Sequence, residues 1–429
     1  VKVLLIGGGG REHALGWKIA QSPELSKLYV APGNPGLNHI GEALTIPEND
    51  TGGLVSFSKE KNVDLVVIGP EAQLAAGLGD ALREAGVACF GPDKAAAQLE
   101  TSKSFMKEIC AAAGAPTAAY GKFTGVSAAK AFLREQTAPY VIKADGLAAG
   151  KGVVIAETLD DADAAIDGML CGKFGEASAA IVIEEFMRGE EASFFAISDG
   201  ETVLPMIAAQ DHKRAYDGDK GPNTGGMGAY SPAPVFTSAV YERTMREIIE
   251  PVVAEMTRRG TPYIGVLYAG LMIEDERPRL VEFNARFGDP ECQIMMRRLK
   301  NDLLPVLNAA ARGQLGNHEF QWTDDAAALV VMAAEGYPGA YNKGSPISGV
   351  EAANELTGVV VFHAGTKERD GALIANGGRV LNVTATGATI REAIGRAYEG
   401  VTAIDWPEGF YRRDIGWRAL GPATVEQKT

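Results

Sequence analysis

No stretch of this chain stays apolar for the roughly 20 residues that a membrane-spanning helix needs, which excludes a helical integral membrane protein. Cysteine is scarce: the four residues Cys89, Cys110, Cys171 and Cys292 stand far apart, with no CxxC pair and no Cys/His spacing of a zinc site. They read as reduced thiols of a cytosolic protein. The five histidines are scattered, so no pairing supports a nucleophilic triad or a metal cluster. A basic excess is missing too. The net charge is −14 and no segment carries the basic face expected of a nucleic-acid binder. That balance favours solubility and leaves room for a small phosphorylated ligand held locally. The first six residues form a strand-like run feeding a glycine loop, so no signal peptide is expected.

What is present is ordinary globular material, 46% apolar and 22% charged, in a chain of 429 residues. That length suits two to four domains. The 52 glycines cluster between apolar runs and read as backbone devices. Residues 1–100 alternate strands (2–6, 27–30, 64–68, 87–90) with helical stretches (11–21, 74–85). This is the rhythm of a doubly wound parallel sheet, whose ligands bind at the carboxyl ends of the strands. A helix is expected over 103–113, then a small αβ segment over 121–187. Within it lie strands at 140–143, 153–156 and 180–186 and a helix at 160–170. Longer hairpin-like strands follow at 192–198, 203–209, 266–273 and 279–283, interrupted by an amphipathic helix over 238–259. Residues 326–429 read as a last αβ unit, with strands at 328–333, 359–364 and 379–384 and a helix at 389–400. The fold class is thus α/β. The divisions are 1–100, a core of 101–120 with 188–325, a small unit of 121–187, and 326–429.

Gly7-Gly8-Gly9-Gly10 before Arg11 invites comparison with a dinucleotide fingerprint, but the third glycine position is Glu12. The second strand also ends in Pro32-Gly33, without the acid that would hold a ribose. A helix N-terminus with free amides plus Arg11 still makes an anion site. The plain alternative is a tight turn. Glu71, after the third strand, suits a ribose diol or is a solvated loop acid. Lys143-Ala144-Asp145-Gly146 through Gly150-Lys151-Gly152 resembles a Walker loop without its spacing or its Ser/Thr, and a strand follows instead of a helix. It reads as a hairpin able to close over phosphates, with Lys143 and Lys151 as point charges; the alternative is a surface hairpin.

Glu184-Glu185-Phe186 ends a buried strand that can offer backbone to an adenine edge, with Glu190 or Glu191 beyond it for a ribose. In Glu282-Phe283-Asn284-Ala285-Arg286, alternation puts Glu282, Asn284 and Arg286 on one face. A carboxylate beside an amide oxygen suits Mg²⁺, and Arg286 can steady a phosphoryl group in transfer. A salt-bridged outer face is the plain alternative. Residues 210–230, with Asp211, Lys213, Asn223, Thr224 and Gly225, form a long polar connection read as a substrate loop.

Taken together, the chain resembles the phosphoribosylamine–glycine ligases (glycinamide ribonucleotide synthetases) of the ATP-grasp superfamily, nearly end to end. The resemblance rests on residues 9–14, 32–34, 69–71, 143–152, 210–214, 221–232, 282–290, 363–366 and 376–379 taken in order. Cys292 departs from it, standing where that family is expected to carry Thr. The resemblance implies that ATP phosphorylates glycine and that the amine of 5-phosphoribosylamine displaces the phosphate. Lys103, Lys143 and the loop residues Gly146, Gly150, Lys151 and Gly152 would then meet ATP. Glu184, Glu185 and Phe186 would line its base, and Glu191 its ribose. Glu282 and Asn284 would hold Mg²⁺ or Mn²⁺. Arg286, Lys143, Asp211 and Lys213 would serve the chemistry, the last two near the amino acid. Gly9, Gly10, Arg11, Asn34 and Glu71, with Arg379 from the last domain, would meet phosphoribosylamine, and Asn223, Thr224, Gly225 and Arg286 would bind substrate. The strand over 267–273 offers no second metal carboxylate. A cytoplasmic monomer acting on small molecules is expected, without nucleic-acid or membrane partners. Another ATP-grasp ligase, of the biotin carboxylase or formate-using type, and a non-catalytic nucleotide-binding regulator are the rivals.

Overall fold

A computed structural model of the chain describes residues 1–146, 152–172, 175 and 179–421. The first hundred residues form a parallel sheet. Its strands are β1 (Lys2–Gly7), β2 (Lys27–Pro32), β3 (Glu42–Ala43), β4 (Leu65–Ile68) and β5 (Cys89–Phe90), in the order β3-β2-β1-β4-β5. The apolar run Val3-Leu4-Leu5-Ile6 is wholly buried because helices cover both faces of the sheet. Strand order reverses beside β1, so the glycine loop after it opens at the switch point where such sheets bind ligands.

The small unit carries β6 (Tyr120–Phe123), β7 (Tyr140–Ala144), β8 (Val153–Ala156) and β9 (Ile181–Glu184) in the order β6-β9-β7-β8. Its helices Val126–Leu133 and Leu159–Leu170 cover one face. It has its own core, including Leu133, Ile142, Ile166, Ile181 and Ile183. β7 and β8 pair antiparallel with Lys143 opposite Val153, giving the expected hairpin.

The rest builds one large antiparallel sheet. Its strands are β10 (Glu190–Asp199), β11 (Val203–Asp211), β14 (Gly228–Ser231), β15 (Ile264–Glu274), β16 (Arg277–Asn284), β17 (Ala326–Ala334), β18 (Val359–His363) and β21 (Arg379–Gly387). They run β16-β15-β10-β11-β14-β17-β21-β18, with β22 (Gly409–Phe410) beside β17. Two short hairpins stand apart: β12 (Arg214–Tyr216) with β13 (Lys220–Asn223), and β19 (Thr366–Arg369) with β20 (Ala372–Ala375).

Several expectations need correction. The connection over 210–230 is no open loop: it contains the β12–β13 hairpin, and β14 is buried inside the main sheet. The helix expected over 74–85 is two, Glu71–Ala76 and Leu78–Glu84, because Gly77 turns left-handed at φ +89°. The helix expected over 238–259 carries a π-helical turn at Met245–Ile249. The strand expected over 87–90 shortens to Cys89–Phe90. Among the described residues, no helix is long and apolar enough to cross a membrane.

Candidate active site

At the carboxyl end of β16, Glu282 and Asn284 lie on one strand face while Phe283 points into the core, as the alternation requires. Across the ladder Glu282 faces Gly270 and Asn284 faces Tyr268. Glycine opposite Glu282 leaves the carboxylate uncrowded. Lys103, first residue of the helix Lys103–Ala113, brings its ammonium to 2.7 Å from Glu282 Oε2. Lys103, with Lys143 behind it, holds the Glu282 carboxyl down at about 2 against its burial. Glu282 is therefore ionised at neutral pH, and its side chain remains 32% exposed. This pair of hard oxygens fits a divalent cation whose remaining positions are filled by phosphate and water. No group of three acidic, histidine or cysteine ligands occurs among the described residues, so a cation here would depend on a ligand's oxygens.

Lys143, in β7, is buried and ion-paired to Glu184 Oε2 at 2.7 Å. The Glu184 side chain is thus turned inward, leaving only its backbone for a base. Glu185 pairs with Arg279, and its own amide donates to Ala119 O at 3.0 Å. Phe186 is exposed, free to cover a flat ligand. Gly146 and Gly152 flank the loop, whose Gly150 and Lys151 lie outside the described residues. Asp145 ties the loop's base to the core: its Oδ1 accepts from the Ser104 amide at 2.7 Å and its Oδ2 from Ser104 Oγ at 2.8 Å.

Next along the sheet, Lys213 bridges Asp211 at 2.8 Å and Glu191 at 3.0 Å. Burial works against the Lys213 charge, but Asp211 and Glu191 keep it firmly protonated. Below them Glu291 is buried, with Oε1 accepting from Tyr268 at 3.0 Å and Ser193 at 3.2 Å. Burial and then the Asp211 carboxylate push Glu291 above the carboxylate range.

Arg286 joins this end to the other. Its Nε lies 3.2 Å from Glu71 Oε2, one NH2 contact reaches Glu100 Oε1 at 3.4 Å, and another donates to Asn284 Oδ1 at 3.4 Å. Glu100 is fixed by the Ala285 amide at 2.7 Å. Burial raises the Glu100 carboxyl even against Arg286.

The glycine-loop end differs from expectation in three respects. The Gly9 amide is taken by Glu12 Oε2 at 2.8 Å, so the helix N-terminus is closed by its own side chain. Arg11 is buried and committed to Glu12 Oε1 at 2.6 Å and Phe287 O at 3.2 Å, so it is no open anion fork. Asn34 caps a short helix through Leu37 N and donates to Gly8 O at 2.8 Å and His363 O at 2.9 Å, which leaves it a tie between segments. Gly10 packs on Asn382, and Asn223 lies exposed in β13. Thr224 donates to Lys213 O at 2.9 Å within its turn. Arg379 does reach the loop, donating to Gly225 O at 2.9 Å and pairing with Asp289 at 3.2 Å. With Gly8, Gly9, Tyr337, Ala364 and Gly365, Arg379 and Asp289 line a cavity of about 290 Å³ between the first sheet and the last strands.

Family models match the chain in three segments. They are phosphoribosylglycinamide synthetase N domain over residues 1–100, its ATP-grasp (A) domain over 101–292 and its C domain over 327–418. The chain belongs to the phosphoribosylglycinamide synthetase family. A phosphoribosylamine–glycine ligase of Mesorhizobium japonicum is 60% identical over 98% of this chain and 99% of its own length. The crystal structure of a phosphoribosylamine–glycine ligase from Thermotoga maritima is 32% identical, with a TM-score of 0.86 over 96% of this chain and 100% of that one. The biotin carboxylase domain of Hydrogenobacter thermophilus 2-oxoglutarate carboxylase, solved with MgADP, is similar in fold alone. It is 16% identical, with a TM-score of 0.72 over 96% of this chain and 91% of that one.

The sequence brought Lys103, Lys143, Glu282, Asn284 and Arg286 under notice, and they converge. It passed over Glu100, Lys107, Asp145 and Glu291. None of the four carried a signal beyond ordinary helix or loop chemistry; Glu291, at the start of the helix Glu291–Arg298, reads as a common first-turn acid.

Proposed function

We propose that this chain ligates glycine to 5-phosphoribosylamine with ATP, giving glycinamide ribonucleotide, ADP and phosphate, a step of purine synthesis. A glycine carboxylate oxygen attacks the γ-phosphorus and ADP leaves. The amine of phosphoribosylamine then attacks the acyl carbon, phosphate departs with that oxygen, and the amine gives up a proton. A carboxylate is a poor electrophile, and an acyl phosphate is lost to water unless the site closes.

In this reading Lys103 and Lys143 hold the triphosphate under the β7–β8 hairpin, and Phe186 covers the base. Glu191 meets the ribose. Glu282 and Asn284 would hold Mg²⁺, which would supply charge neutralisation on the phosphates. Arg286 orients the transferring group from its seat on Glu71 and Glu100. Asp211 and Lys213 line the amino-acid end, while Arg379 and Asp289 face the phosphoribosyl group. Residues 121–187 act as the lid, 101–120 with 188–325 as the core, and 1–100 with 326–429 as the walls of the sugar site. The observation that carries the reading is Arg286: one guanidinium links Asn284 at the nucleotide end to Glu71 at the first sheet.

Phosphate release tests it. Release from ATP is expected only when glycine and phosphoribosylamine are both present. Release driven by bicarbonate or formate would move the chain to a rival ATP-grasp activity, and no turnover with any of these would leave a nucleotide-binding regulator.

A further inference from the structure

Lys107 lies one turn after Lys103 on the helix Lys103–Ala113 and is fully buried. Its ammonium is 2.8 Å from Thr117 Oγ1, 3.1 Å from Ala118 O and 3.1 Å from Glu184 Oε1, and it sits 5.5 Å from the centre of the Tyr120 ring. These contacts use the ammonium inside the protein, so it is not placed to touch a ligand. Burial lowers its pKa, and the nearby Glu184 works in the opposite sense.

Glu184 is shared. Its Oε1 faces Lys107 and its Oε2 lies 2.7 Å from Lys143 Nζ. The two ammonium groups come from different units, Lys107 from the core helix and Lys143 from β7 of the small sheet. Among the described residues, the other hydrogen bond of Lys143 is a long one to Val281 O at 3.5 Å. A buried carboxylate facing one lysine would make a neutral pair and cancel most of that lysine's field. With two lysines the cluster carries a net +1, and buried charges act strongly over a few ångströms because water screens them poorly.

We propose that Lys107 is a positioning residue for the nucleotide: it neutralises Glu184 and so leaves the charge of Lys143 available to the triphosphate. The inference rests on the reading of Lys143 as a phosphate contact. A cation that never meets the nucleotide then sets nucleotide affinity. The competing role for Lys107 is mechanical, a pin holding Thr117 and Ala118 to the helix.

The test is a charge cycle read by calorimetric ATP affinity on the full chain, with thermal stability followed in parallel. Lys143→Met reports on the underlying reading and should weaken ATP binding at least about tenfold. Lys107→Met should weaken it by a similar factor, raising KM for ATP and leaving KM for glycine in place. Lys107→Arg should keep most of the affinity. The double variant Lys107→Met/Glu184→Gln should regain most of what Lys107→Met loses, because the carboxylate that captures Lys143 is gone. Should Lys107→Met fail to fold, Glu184→Gln alone carries the test and should bind ATP at least as tightly as the parent.

Unchanged ATP affinity in Lys107→Met, a double variant no better than the single, or a tenfold loss in Glu184→Gln would each overturn the proposal. Unchanged affinity in Lys143→Met would instead remove the phosphate-contact reading, and the inference with it.

Discussion

At the scale of single residues, Arg286 is the group proposed to steady the transferring phosphoryl, and its acidic partners hold its charge against burial. Burial alone would disfavour its charge, but Glu100 and Glu71 raise its pKa beyond the ordinary guanidinium value. Arg286→Ala is expected to lower kcat by about 10²–10³, as for the loss of one preorganised transition-state donor, with a small change in KM for ATP. Steady-state kinetics checks this, and an equal rise in KM would assign Arg286 to ground-state binding instead. Gly8 is a second sensitive point, for steric reasons. A Cβ there would stand 2.4 Å from Gly33 O, a backbone atom that cannot swing away. Gly8→Ala should cost about 1–3 kcal/mol of stability in denaturant unfolding. Glu282 and Asn284 were legible because strand alternation is a local rule, whereas Arg286, expected on the same strand face, lies two residues past the end of β16 in the bend that follows. Glu100 was not legible: it fixes the Ala285 amide from 185 residues away, and nothing in its neighbours announces that partner. Arg11, expected as a phosphate fork, has its Nε held by the adjacent Glu12 in the fold.

At the scale of elements, a small clamp fastens the first sheet to the last strands. The His363 amide donates to His13 Nδ1 at 2.8 Å, and Asn34 Nδ2 donates to His363 O at 2.9 Å. Burial, with the neighbouring His363, pushes His13 down to about 3, and burial with His39 pushes His363 down to about 4. Both rings are therefore neutral in the fold, whereas the unfolded chain takes up protons near the ordinary value of 6.5. Below that pH the unfolded state binds more protons, so stability falls as the pH falls. The slope is about 1.4 kcal/mol per pH unit for each ring, down to its folded pKa. Melting temperature measured from pH 7 to pH 5 should drop, and His13→Gln should drop less steeply; parallel curves would dismiss the clamp as a source of the effect. Elements with strong periodicity, such as the helix Lys103–Ala113 and strand β8, matched the reading closely. Elements made of polar residues did not. The β12–β13 hairpin is built from largely exposed residues and held by buried Arg412, which pairs with Asp219 at 2.9 Å and donates to Arg214 O at 3.1 Å, a long-range support invisible in the segment itself.

At the scale of the whole molecule, the main sheet does not stop at the expected division near residue 326. β14 pairs with β11 on one side and with β17 on the other, so the last hundred residues complete a sheet begun much earlier. A chain ending at residue 325 would expose the β14 edge and the apolar face of Ala209, Ala229 and Ile294 that Leu329 and Val331 cover in the full chain, and such open edges aggregate. That fragment is expected to be insoluble or to melt well below the full chain; a soluble fragment of equal melting temperature would contradict the shared sheet. The rhythm of strands and helices divided the chain at about residues 100, 120, 187 and 325, because each stretch has its own local pattern. The sharing of one sheet between two of them was not legible, because register between distant strands leaves no mark on either. The proposed ligation passes one oxygen from the glycine carboxylate to phosphate, and an isotope follows it directly. With glycine labelled by ¹⁸O in both carboxyl oxygens, plus ATP and phosphoribosylamine, each phosphate released should carry one labelled oxygen. Unlabelled phosphate from a productive turnover would contradict the account.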